Sequence, residues 1–156
     1  MATTTTILEA ITLFVNAKRA EGRAPRTIAD YHRVLHPFEE WCRQTGSTSL
    51  ADLNTELIHR YVSELRSGRF SEATVAIYIR NLRVFLSWLH RNGFVDTDMA
   101  TGIKPPKVPP RLPDLPTPQE LEALVAVCNP EDLLGARDRA IILTLLDTGM
   151  RVGELC

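Results

Sequence analysis

No apolar run in the 156-residue chain approaches the about 18 residues needed to cross a bilayer as a helix, so a helical membrane span is excluded. The opening stretch MATTTTILEA has neither the basic start nor the unbroken apolar core of a signal peptide, and a cytoplasmic protein is expected. Cysteine is scarce. Cys42, Cys128 and Cys156 are odd in number, far apart and without a C-x-x-C or a neighbouring histidine pair. They read as free thiols in a reducing compartment, which excludes a disulfide frame or a cysteine metal site. Lysine is rarer than arginine, which supplies 15 of the 18 basic residues. The planar guanidinium suits phosphates and guanine edges, although GC-rich coding yields the same bias.

A net charge of −1 argues at first against a polyanionic partner, but the chain is uneven: residues 1–104 carry +2 and the remaining 52 carry −3. The length allows one ordinary domain, or one small domain and part of another.

Period-two alternation is also missing from the first hundred residues, and four helical patterns take its place. The first spans about Thr6 to Glu21, with Ile7, Leu8, Ile11, Phe14 and Val15 as its stripe and Gly22 as its stop. The second begins near Thr27, which can cap it with Asp30 in the first turn, and carries Tyr31, Val34, Leu35, Phe38, Trp41 and Cys42. Pro37 should kink it on its outer face. The third follows Asn54 and buries Leu57, Ile58, Tyr61, Val62 and Leu65, ending before Gly68. The fourth runs from a Ser71 cap to a Gly93 stop and buries Val75, Tyr78, Ile79, Leu82, Phe85, Leu86 and Leu89.

Opposite that last stripe, Arg80, Arg83, Ser87 and Arg91 fall within roughly an 80° arc at about 100° per residue. No acid lies between Ala73 and Val95. A basic face without counter-charge suits a polyanion, and it also reads as an ordinary solvated face. Arg26, Arg33 and Arg43 add charge to the second helix.

Seven of the ten prolines then fall between Ile103 and Pro118, a composition that favours extended polyproline II and marks a domain boundary. Lys104, Lys107 and Arg111 are able to lie along a phosphate backbone there, or to belong to a plain solvated linker. Thr117, Pro118, Gln119 and Glu120 form a capping box that opens a helix to about Cys128, burying Leu121, Leu124, Val125 and Cys128.

The final stretch, ARDRAIILTLLDTGMRVGELC, places apolar residues around most of a helical cylinder from Ala140 to Leu146, which predicts a buried helix. Gly149 supplies a left-handed cap. Arg151 follows at the start of another helical turn, near orphan N–H groups that favour an anion. It reads equally as a solvated residue or a partner of Asp147 or Glu154.

The run RDRAIILTLLDTGMRVGEL resembles the first catalytic box of the tyrosine recombinase (phage integrase) family: a buried helix, then T-G-x-R-x-x-E-L. The four-helix module before a proline-rich connector resembles that family's SAM-like core-binding domain. The resemblance implies an all-α fold: a core-binding bundle over 1–102, a linker over 103–117, and the first helices of a truncated catalytic domain over 118–156. It makes Arg151 the first catalytic arginine, with Glu154 orienting it and Leu155 entering the core. In the family the second and fourth helices approach the major groove, so Arg26, Thr27, Arg33, Arg80, Arg83 and Arg91, with Lys104 and Lys107 in the linker, become candidate DNA contacts, mostly to phosphate.

The implied activity is site-specific recombination or integration: a tyrosine forms a covalent 3′-phosphotyrosine, and a second strand's hydroxyl reverses it without metal or cofactor. The implied partners are double-stranded DNA and further recombinase subunits in a tetrameric synapse, with no membrane and no small-molecule substrate. The lysine, histidine-arginine and tyrosine boxes do not follow Arg151, and Tyr31, Tyr61 and Tyr78 all lie on apolar stripes. The chain is therefore expected to be the amino-terminal piece of a recombinase, unable to cleave DNA by itself. A stand-alone helical DNA-binding module and a protein-interaction module remain as alternatives.

Overall fold

The structure, a computed structural model, describes residues 5–68, 70–110 and 112–156. The chain divides into two compact units, Met1–Pro109 and Pro110–Cys156. Among the described residues there are seven α-helices and no β-strand.

The first unit holds α1 (Ile7–Ala20), α2 (Pro25–Gln44), α3 (Thr55–Ser67) and α4 (Glu72–Arg91). Three of these helices start where a side chain satisfies their first N–H groups. Thr6 and Glu9 form a reciprocal capping box on α1, Asn54 accepts from the Leu57 N–H, and Ser71 accepts from the Thr74 N–H. The exception is α2, which begins at Pro25 rather than at a Thr27 cap. Proline has φ preset for a helix and no N–H to satisfy, so the helix starts without a side-chain cap. Thr27 lies inside the helix, and Asp30 falls beyond the first turn. Pro37 sits within the helix on its exposed side.

Helix α4 is the centre of the unit and packs against α1, α2 and α3. Phe14 of α1 is fully buried and meets Tyr31, Phe85 and Trp88 edge-on, with ring centroids 4.9, 5.4 and 5.5 Å away. Leu8, placed on the α1 stripe by its spacing, is instead 47% exposed. Its place on the buried face is taken by Ala10 and by Lys18, whose ammonium pairs with Glu21 at 2.7 Å over the Phe14 ring.

After Gly93 the chain folds back on α4. Met99, Ala100 and Ile103 join the core, so the first residue assigned to the linker is a core residue. Arg66 holds the departing chain by donating to the Lys104 carbonyl at 3.1 Å.

The second unit holds α5 (Pro118–Ala126), α6 (Leu133–Thr148) and the short α7 (Val152–Leu155). The Thr117–Glu120 capping box opens α5, and Gly149 at φ 65° closes α6. The expected burial is not found. No residue of α5 or α6 is buried: Leu124 is 50% exposed and Leu146 46%. Helix α5 contacts α6, but two helices cannot surround a cylinder that is apolar on most of its circumference.

Candidate nucleic-acid interface

Two helices carry the candidate residues of the first unit. On α2, Arg26 and Arg33 are seven residues apart and so fall within about 20° of each other on the exposed side. Arg26 is exposed and takes no side-chain partner among the described residues, while Thr27 beside it is half-buried. Arg33 pairs with Asp30 at 2.9 Å, and Arg43 lies 3.9 Å from Glu40. Exposed pairs of this type contribute little to stability.

On α4 the expectation of a face without counter-charge needs correction. The returning segment brings Asp98 to the stripe, where its carboxylate accepts from the Ser87 hydroxyl at 3.5 Å. Arg83 donates from Nε to the Ala100 carbonyl at 3.2 Å, and Arg91 donates from Nε to the Ser87 carbonyl at 3.2 Å. Arg80 alone of the three is without a partner among the described residues, and it is exposed. The periodicity placed these arginines on one face; the carboxylate and the Ala100 carbonyl that divide them come from a segment without helical period.

Lys104 and Lys107 are both exposed at the end of the first unit. Arg111, grouped with them from the sequence, lies outside the described residues. The hollow lined by Ser49, Asn54, Thr55, Phe94 and Asp96, of about 570 Å³, holds an acid and no lysine or arginine, so it is not built for a phosphate.

In the second unit Arg151 is the N-cap of α7. Its backbone N–H donates to the Glu154 carboxylate at 2.8 Å, and its Nη1 lies 3.4 Å from the other carboxylate oxygen. The side chain is 88% exposed. Glu154 thus holds the arginine at both ends while the guanidinium stays open to an anion. Leu155 is half-buried.

The three tyrosines are core residues at 7, 4 and 9% exposure for Tyr31, Tyr61 and Tyr78, and burial pushes the Tyr61 phenol well above its ordinary range. Among the described residues no three histidine, cysteine or acidic side chains are grouped to hold a metal, and no helix is long and apolar enough to cross a membrane. Arg19, His32 and His36 form a cluster between α1 and α2 that sequence reasoning passed over; the four-residue histidine spacing is its signal.

A four-helix bundle with arginines on the open sides of two helices, followed by a proline-rich segment and a smaller helical unit, defines an all-α architecture. The chain belongs to the phage integrase family: residues 11–93 match the phage integrase N-terminal SAM-like domain. Similar curated proteins are tyrosine recombinases. Tyrosine recombinase XerD of Chlamydia pneumoniae is 34% identical over 157 residues, covering 97% of this chain and 50% of that protein. Tyrosine recombinase XerC of Pseudomonas fluorescens is 32% identical over 85% of this chain and 44% of its own length. XerA of Thermococcus kodakarensis is 32% identical over 87% and 43%. The chain spans about half the length of the curated relatives it matches. In fold it is similar to the N-terminal domain of a phage integrase/site-specific recombinase from Haloarcula marismortui, with a TM-score of 0.62 at 22% identity, over 66% of this chain and 98% of that one.

Proposed function

We propose that this chain is the DNA-binding half of a site-specific tyrosine recombinase, joined through the proline-rich segment to the start of the catalytic domain. The observation that carries the reading is the pair Arg26 and Arg80, exposed and unpartnered among the described residues on two adjoining helices of a domain whose relatives are tyrosine recombinases. Both contacts go to phosphate and set position along the duplex. Arg33, Arg83, Arg91, Thr27, Lys104 and Lys107 flank them, and Arg33 exchanges Asp30 for phosphate on binding.

Arg151 is the first catalytic arginine in this reading. Poised by Glu154, it holds a non-bridging oxygen of the scissile phosphate as charge develops during tyrosine attack; loss of one such donor costs roughly 10²- to 10³-fold in rate. The nucleophile is none of Tyr31, Tyr61 or Tyr78, which belong to the core. Other recombinase subunits complete the synapse.

Duplex binding by the chain and by an Arg26→Glu/Arg80→Glu variant tests the reading. Loss of binding in a variant that melts like the parent supports it, and unchanged binding contradicts it. A second reading, protein interaction, is favoured for the second unit alone by the exposed apolar side chains of α5 and α6. Taken as the role of the whole chain, it predicts no duplex affinity in either protein.

A further inference from the structure

His32 and His36 stand one turn apart on α2. Their rings are nearly parallel, at 11°, and Nδ1 of His32 lies 3.2 Å from Nε2 of His36. His36 is exposed and His32 half-buried, so solvent reaches the pair. Two imidazole nitrogens on one tetrahedral ion, each at about 2.0–2.1 Å, stand about 3.3 Å apart. The 3.2 Å separation of the pair already matches that distance, and a small turn of each ring aims both nitrogens at one ion. Histidines at i and i+4 share one helix face, the spacing that lets both reach a single ion.

Arg19 of α1 sets the proton positions. Its Nη2 lies 3.5 Å from His32 Nε2, and its Nη1 donates to Asn16 Oδ1 at 3.3 Å. A guanidinium only donates, so the neutral His32 ring accepts at Nε2 and carries its proton on Nδ1, inside the histidine contact. An ion at Nδ1 displaces that proton to Nε2, where two donors then face each other. Arg19 must withdraw to Asn16, and its charge also repels the cation.

We propose that His32 and His36 form a two-histidine chelate for a divalent transition-metal ion of the zinc, nickel or copper class, with water completing the coordination and Arg19 opposing occupancy. Imidazole nitrogen selects these ions over magnesium and calcium, which require oxygen.

The test uses the full chain without any histidine tag, in a Cys128→Ser/Cys156→Ser background that removes the thiols outside the core. ZnCl₂ is titrated while imidazole ¹⁵N resonances and the melting temperature are followed. We expect His32 and His36 to shift together and saturate before His59 or His90. We also expect melting to rise, because the folded pair binds better than the unfolded one. His36→Gln should abolish the early shift and the added stability, and His32→Gln should do the same. Both side chains reach solvent, and the melting temperature of each variant without zinc checks that it folds. Arg19→Ala should bind zinc at least about twofold more tightly, given the lost donor clash and repulsion. A melting rise that survives both glutamine variants overturns the proposal, as does weaker zinc binding in Arg19→Ala. So does a titration in which His59 or His90 shifts at lower zinc than the pair.

Discussion

The Nε of Arg83 donates to the carbonyl oxygen of Ala100 at 3.2 Å, pinning the segment after Gly93 to the outer side of α4. Arg80, one turn earlier, makes no such contact among the described residues. The two arginines therefore have different tasks. Arg83→Ala should lower stability by about 0.5–1.5 kcal/mol through the lost hydrogen bond. Arg80→Ala should stay within about 0.5 kcal/mol of the parent. Urea denaturation of both variants checks this, and equal losses would contradict the assignment.

Phe14 is the aromatic hub between α1, α2 and α4, in contact with Tyr31, Phe85 and Trp88. Phe14→Ala should cost about 3–5 kcal/mol, the range for emptying a large aromatic site in a packed core. Leu8→Ala on the same helix should cost far less, since Leu8 is 47% exposed. Denaturation midpoints at unchanged slope read both effects.

The Cys42 thiol is fully buried, and burial pushes its pKa up to about 12. Cys156 is exposed. At pH 8 a thiol reagent should label Cys156 promptly and leave Cys42 protected until the chain unfolds. Mass mapping of the labelled peptides decides it, and prompt labelling of Cys42 in folded protein would contradict the core assignment.

Hydrogen bonds from the Thr6 backbone N–H and hydroxyl hold the Glu9 carboxyl below its ordinary range, and Thr117 does the same to Glu120. A lowered carboxylate pKa stabilises the fold above the unfolded glutamate value, and that contribution disappears as pH falls through the folded value. Glu9→Gln should therefore flatten part of the acid limb of the melting curve and leave its neutral-to-alkaline part parallel to the parent's. Melting temperatures from pH 3 to 8 test the sign; an acid limb of unchanged steepness would be the contrary result.

Local chemistry made much of the first unit legible. Asn54 with Leu57, Ile58, Tyr61, Val62 and Leu65 specifies α3 through a cap and a stripe, and Gly149 specifies its turn because a left-handed φ suits little else. The start of α2 was obscured because Thr27 is a good cap in isolation, and Pro25 overrides it. Met99, Ala100 and Ile103 have no helical period, so their burial against α4 follows from tertiary packing alone. The arginine faces were readable from spacing. Which arginines were already engaged was not, because the groups that engage the face are Asp98 and two backbone carbonyls. The apolar circumference of α6 showed that the helix requires partners, but not which segment supplies them.

Duplex affinity measured against salt bears hardest on the claim that α2 and α4 grip phosphate. Each neutralised phosphate contributes about −0.9 to the slope of log affinity against log salt. We expect a steep linear fall for the parent chain, and a slope shallower by about 1 in each of Arg26→Ala and Arg80→Ala. A parent slope near zero, or single variants with the parent's slope, would contradict phosphate contact by these two arginines.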